Sequence, residues 1–286
     1  MVNEGGASGR TAVEPSGVLS RALHEELSRC RLCPWECGVN RLRGEHGFCG
    51  LDTEGRIFAD FVHLGEERRL VPSYLVCFTG CNFRCAFCVN LEWVSRPAQG
   101  PVVDVPALRS RITALARRGV RTVSLLGGEP TCNLPVVARV FEGFQCPLPV
   151  VWNSNMYFSP RALPFVLAFA DVFLADFKFG NDSCAERVSG APRYASTVRA
   201  NLLAVAARRD LIVRHLLLPG HFECCTIPIL DWLASNLPCA EVNVLGSFLP
   251  RPDAALGSPL SRTVAASEFD RAVRHARRRR LRLVDR

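Results

Sequence analysis

Cys81, Cys85 and Cys88, in TGCNFRCAFC, have three and then two residues between them, in a loop that follows an apolar stretch. Three thiolates this close can wrap one iron–sulfur cube. A [4Fe–4S] cube has four irons, so one keeps an open coordination position. Cys77 lies back in the apolar stretch and reads as a core thiol rather than a fourth ligand. Zinc is the competing occupant. It usually takes four ligands, often as paired CxxC knuckles, and no second knuckle adjoins this loop.

A second set, Cys30, Cys33, Cys37 and Cys49, is flanked by CPWECG and GFCG. Its first three members are about one helical turn apart, and glycines free the backbone to return Cys49. Four thiolates suit a closed site, either a structural zinc or a second iron–sulfur cluster. His46 is a weaker ligand candidate, expected at the surface. Cys132, Cys146, Cys184, Cys224, Cys225 and Cys239 have no metal spacing and read as inert thiols.

Further polar groups fall at the ends of apolar stretches. In Gly127-Gly128-Glu129-Pro130 the glycines allow close backbone approach, and Glu129 can accept from an ammonium. Asp176 and Lys178 are two apart on a strand and so share a face. Lys178 is the one lysine in a chain whose other basic residues are arginines. Arg214, in LIVRHLLLPG, puts a charge in an apolar strand, where it needs an anionic partner. His215 alternates to the opposite face and reads as structural. Asn153-Ser154-Asn155 ends another strand.

Together, the cysteine loop with Phe87 before its last cysteine, GGEP at 127–130, Asp176-Phe177-Lys178 and RHLLLPG resemble the radical S-adenosylmethionine (SAM) superfamily, over about residues 30–245. The resemblance implies that the open iron chelates the amino and carboxylate groups of SAM, whose reductive cleavage yields a 5′-deoxyadenosyl radical. It further implies that Gly127, Gly128 and Glu129 bind the SAM amino group. Lys178, beside Asp176, would pair with the SAM carboxylate, work for which arginine is not equivalent. Arg214 would contact SAM, and Asn153, Ser154 and Asn155 would line its site. HLGEER (63–68), WNSNMY (152–157), SGAPRY (189–194) and RHLLLPGH (214–221) are similar to segments of the pyruvate formate-lyase-activating-enzyme-like subgroup.

The implied partners are an electron donor such as flavodoxin or ferredoxin, and either a small molecule or a glycyl radical enzyme. Activases with additional clusters carry them in a ferredoxin-like insertion downstream of the radical loop, which this chain lacks. That difference and a loop at 250–262 favour a small molecule such as a nucleoside or sugar. The upstream cluster would then pass electrons or donate sulfur. Tyr157, Cys77 and Ser247 are the candidates to quench a substrate radical.

Alternating strands and helices must position these groups. The pattern predicts a helix over 17–29, strands at 55–63 and 73–78, and a helix over 104–118 capped by Asp104 and closed at Gly119. Strands at 120–126, 149–153, 171–177, 211–218 and 241–245 follow, interleaved with helices near 134–143, 160–169, 183–208 and 226–236. Near-continuous apolar strands separated by helices indicate an α/β fold with a buried parallel sheet. A partial (β/α)6 TIM-like barrel with a small N-terminal cysteine-rich metal-binding subdomain is expected, and a doubly wound open sheet is the alternative. Residues 1–16 read as a disordered leader and 17–70 as the cysteine-rich subdomain. The barrel then takes 71–249, and a loop with a basic C-terminal helix takes 250–286.

Composition agrees with an ordinary globular enzyme, at 48% hydrophobic and 22% charged over 286 residues. No apolar run spans a bilayer and no hydrophobic signal region is visible, so a cytoplasmic location without a membrane partner is expected. In a reducing compartment 14 cysteines point to metal or redox roles rather than disulfides. The net charge of +8 peaks in RAVRHARRRRLRLVDR (271–286). No aromatics interleave there for base stacking, so it reads as a solvated helix face followed by a short strand. A zinc protein that grips nucleic acid by this tail is the non-catalytic alternative. It leaves GGEP, DFK and RHLLLPG unexplained.

Overall fold

The computed structural model describes residues 18–65, 67–255 and 257–284, so the leader expected at 1–16 lies outside the described residues. Eight strands form one sheet in chain order: β1 (Ile57–His63), β2 (Ser73–Phe78), β3 (Thr122–Gly127), β4 (Val150–Ser154), β5 (Val172–Asp176), β6 (Asp210–Leu216), β7 (Glu241–Leu245) and β8 (Arg282–Leu283). β1 runs antiparallel to β2, and every later pair is parallel. A doubly wound sheet reverses its strand order at a switch point. This order never reverses, so the six units β2 to β7 wind one way, as in a barrel.

The helices are α1 (Val18–Ser28), α2 (Leu91–Ser95), α3 (Val105–Arg117), α4 (Leu134–Phe141), α5 (Leu163–Phe169), α6 (Asp182–Ser189), α7 (Tyr194–Ala206), α8 (Ile227–Asn236) and α9 (Ala266–Arg278). Local chemistry sets several ends. Asp104 accepts from the Ala107 amide at 2.9 Å and starts α3. The run expected at 183–208 divides at Gly190, whose φ of +73° ends α6. α8 is preceded by a π turn over Phe222–Thr226. In α1, Leu23 and Leu27 are buried, as the periodicity requires.

Cys30, Cys33 and Cys37 follow α1 in a knot that is not helical. Residues 29–40 run through turns and bends, and positive φ at Glu36 (+40°) and Gly38 (+68°) turns the chain again after Cys33. At the other end, Ala272, Val273 and Ala276 bury one side of α9. Outside, Asp231 accepts from His275 at 2.7 Å and from Arg279 at 2.8 Å, so the basic run is a solvated face followed by β8. Among the described residues no helix is long and apolar enough to cross a membrane.

Candidate functional site

The carboxyl ends of the parallel strands open on a cavity of about 440 Å³, within the range of small-molecule sites. Cys81, Cys85, Phe87 and Cys88 line it from the loop after β2, and Gly127, Gly128 and Glu129 from the end of β3. Asn153 and Asn155 come from the end of β4, Asp176 and Lys178 from β5, and Arg214 from β6. Ser154 stands behind the wall. Chain order thus becomes angular order around one mouth.

Tight hydrogen bonding holds the cysteine loop. The Asn82 side chain donates to the Tyr157 carbonyl at 2.6 Å, while the Arg84 and Ala86 amides donate to Ser189 and Val188 carbonyls at 2.8 Å each. The Asn155 amide reaches Asn82 Oδ1 at 2.8 Å and lies 3.9 Å from Cys81 Sγ. Burial pushes the Cys85 thiol up to about 12, against the pull of Lys178, and raises Cys81 and Cys88 as well. Cation binding here must displace protons.

Gly127 and Gly128 answer a steric demand from the neighbouring loop. A Cβ on Gly128 would lie 1.7 Å from the Gly80 carbonyl oxygen, and one on Gly127, at φ +109°, would lie 2.5 Å from the Phe78 amide nitrogen. This close approach lets the Gly128 amide donate to Phe78 O at 2.7 Å and the Glu129 amide to Gly80 O at 3.0 Å. The Glu129 carboxylate is buried. Oε1 accepts from Ser154 Oγ at 2.8 Å and the Thr131 amide at 3.1 Å, and Oε2 from the Asn155 amide at 3.0 Å. Burial raises its pKa, and these donors oppose the rise. It ties the ends of β3 and β4 together.

Lys178 Nζ donates to Asp176 Oδ2 at 2.5 Å, and its backbone amide donates to Tyr194 Oη at 2.8 Å. Burial works to lower the Lys178 pKa, but Asp176 and the Cys85 and Cys81 sulfurs outweigh it, so the ammonium stays charged. Arg214 lines the cavity, yet the anionic partner demanded of it comes from within the chain. Glu67, between β1 and β2, takes its Nε at 2.7 Å and Nη2 at 2.6 Å, and Asn243 adds a third bond to Glu67 at 2.8 Å. His215 faces the other way, between the Phe177 carbonyl and Thr226 Oγ1, both at 2.9 Å. Burial drives its pKa down to about 4, so it is neutral and structural.

Cys30, Cys33, Cys37 and Cys49 line a separate small cavity of about 20 Å³, while His46 is exposed. Gly47 is demanded there, since a Cβ would come 2.8 Å from Cys37 Sγ. This knot docks on the radical loop: Trp35 Nε1 donates to the Asn82 carbonyl at 2.9 Å, Trp35 stacks on Phe48 at 3.9 Å, and Arg84 lies 4.4 Å over Phe48 and donates to its carbonyl.

Several residues differ from expectation. Cys132, read as inert, hydrogen-bonds Cys49 and draws its pKa down to about 6 with help from Arg41, while its own rises. Its position two residues beyond GGEP was the available signal. Cys184, Cys224 and Cys225, also read as inert, converge with His221. Of the proposed radical quenchers, Ser247 lines the cavity. Tyr157 instead donates to the Pro192 carbonyl at 2.6 Å in the core, and Cys77 is buried in β2. Glu67 was missed because nothing local marks a loop carboxylate as the partner of a distant strand.

A family model for the Radical SAM superfamily matches residues 75–233, more than half of the chain. Uncharacterized protein MJ0674 of Methanocaldococcus jannaschii is 35% identical over 263 residues, which is 90% of this chain and 77% of that protein. A tRNA-2-methylthio-N(6)-dimethylallyladenosine synthase of Maricaulis maris is 34% identical over 96 residues, 31% of this chain and 18% of its own length. Among solved structures, Streptococcus suis SuiB bound to S-adenosylmethionine superposes with a TM-score of 0.51 at 13% identity. That match covers 71% of this chain and 47% of SuiB, so this chain spans less than half of that structure, and the likeness is one of fold. By its cysteine loop, its barrel and these matches, the chain is an enzyme that belongs to the Radical SAM superfamily.

Proposed function

We propose that this enzyme holds a [4Fe–4S] cluster on Cys81, Cys85 and Cys88, binds SAM beside it, and abstracts hydrogen from a small molecule such as a nucleoside or sugar. The superfamily implies the cluster and SAM, and the residues present fit them. Three thiols share one wall of a cavity of small-molecule size. Among the described residues, the set of three or more ligand atoms that lies within 4.8 Å of one another is found elsewhere, at Cys184, His221, Cys224 and Cys225. Three thiols rather than four suit a cube that keeps one iron open for a ligand. When bound, the pair supplies one-electron cleavage of a sulfonium carbon–sulfur bond, which frees methionine and leaves a 5′-deoxyadenosyl radical able to take a hydrogen atom.

The chain's own groups would do the rest. The Lys178 ammonium, steered by Asp176, is a compact cation for a carboxylate. Arg214, neutralised by Glu67, shapes the wall rather than adding net charge. Phe87 and Phe248 meet edge-on at 5.7 Å and exclude water.

The observation that carries the small-molecule reading is the chain after β7. Ser247, Phe248 and Leu249 line the cavity, and Phe248 is buried. A protein glycine would need an open rim, so the glycyl-radical-activase reading ranks second. In the knot, four thiols around one closed cavity suit an auxiliary [4Fe–4S] cluster that passes electrons or donates sulfur, with a structural zinc as the alternative.

The test is anaerobic. Reconstituted protein is incubated with SAM, dithionite or a flavodoxin or ferredoxin donor, and deuterated nucleosides or sugars, and deuterium is sought in 5′-deoxyadenosine. Iron should number about eight per chain and fall to about four when the knot cysteines are replaced. Intact SAM after reduction would overturn the reading. Deuterium transferred only from a protein glycine would favour the activase.

A further inference from the structure

The geometry points to a further metal centre apart from both cysteine pockets, a closed zinc site made by Cys184, His221, Cys224 and Cys225. The four ligand atoms all lie within 4.8 Å of one another. Cys184 Sγ is 3.6 Å from Cys224 Sγ, and Cys224 Sγ is 3.9 Å from Cys225 Sγ. His221 Nδ1 is 3.5 Å from Cys224 Sγ and 3.7 Å from Cys225 Sγ. Tetrahedral zinc, with bonds of about 2.3 Å to sulfur and about 2.0–2.1 Å to nitrogen, sets edges of about 3.8 Å between sulfurs and about 3.6 Å from sulfur to nitrogen. These four of the six edges match those values, and the two from Cys184 to Cys225 and to His221 lie within 4.8 Å.

Two loops build the cluster. Cys184 sits in the first turn of α6, Cys224 and Cys225 come from the π turn before α8, and His221 caps that turn. There the Cys225 and Thr226 amides both donate to the His221 carbonyl, at 2.9 and 3.2 Å. Residues at i, i+3 and i+4 then project from one face. Asn181 fastens the loops together, accepting from the Cys184 amide at 2.8 Å and donating to the Cys224 carbonyl at 2.7 Å. Gly180 allows this approach, since a Cβ there would lie 2.7 Å from the Cys224 carbonyl oxygen. Cys184, His221 and Cys225 are buried. The Arg187 guanidinium, 3.4 Å from Cys184 Sγ, offsets the surplus negative charge of three thiolates on a dication.

Four protein ligands leave no open position, so the site is structural. It pins the turn after β6 to the loop after β5, the loop that carries Lys178. The proposal does not depend on the radical chemistry, and its test reads zinc rather than iron.

The full chain is purified anaerobically without chelator, and zinc and iron are measured separately. The expected result is about one zinc per chain, lost at least tenfold in Cys224→Ser and in His221→Ala with iron unchanged. Zinc should persist when Cys30 and Cys49 are replaced. Because a variant can fail to fold, cobalt(II) is also added to the wild-type protein, where thiolate-to-cobalt charge-transfer bands and intense tetrahedral d–d bands are expected. Zinc that is absent from wild type, survives both substitutions, or disappears with Cys30 and Cys49 would overturn the proposal. So would a two-dalton mass loss from a Cys184–Cys224 disulfide.

Discussion

Arg214 and Glu67 meet through two parallel bonds of 2.7 and 2.6 Å although 147 residues separate them in the chain. Glu67 is almost wholly enclosed, with 3% of its side chain exposed against 13% for Arg214. Breaking such a pair strands a charge, which costs about 3–5 kcal/mol. Glu67→Gln should therefore lower unfolding stability by an amount of that order. The double variant Glu67→Gln, Arg214→Met should lose clearly less than the two single losses added, as denaturant titration would show. Strict additivity would argue against the pair.

Lys178 should matter for affinity more than for cluster assembly. A hydrogen bond to a charged group is worth about 1.5–3 kcal/mol, so Lys178→Ala should weaken SAM binding roughly ten- to a hundredfold in anaerobic calorimetry. Iron content should stay at the wild-type value. Arginine at this position should restore only part of the affinity, because its planar fork replaces a compact cation.

Gly128 is the most intolerant position in the cavity wall. An added methyl would meet the Gly80 carbonyl oxygen at 1.7 Å, a backbone atom with no rotamer to yield. Gly128→Ala should cost about 3 kcal/mol of stability. It should also reduce iron incorporation, since Gly80 adjoins Cys81. A well-folded, fully loaded variant would contradict this steric account.

His215 makes stability depend on acidity. Its pKa is about 4 in the folded chain, against about 6.5 when unfolded. The unfolded chain therefore takes up the proton first. The neutral imidazole's contribution is complete above pH 6.5 and is lost as pH falls, reaching about 3 kcal/mol by pH 4. Urea midpoints across that window should fall more steeply for wild type than for His215→Gln in the same metal state. Parallel slopes would rule out His215 as the cause.

The barrel was readable because buried parallel strands announce themselves. VFLAD and LIVRHL are nearly unbroken apolar runs, and the polar residues that end them became the cavity wall. Alternation alone separated Arg214 from His215. Contacts between distant segments were not readable. Glu67 has no local mark of its role, and Cys184 lies 40 residues from Cys224. The glycines of GGEP read as room for a ligand, while the structure has them make room for the Gly80 and Phe78 backbone.

Trp35 and Arg84 send their hydrogen bonds in opposite directions between the two cysteine pockets, one to the Asn82 carbonyl and the other to that of Phe48. Neither pocket can shift without dragging the other's backbone. A distortion that opens either pocket therefore pulls directly on the loop that shapes the other.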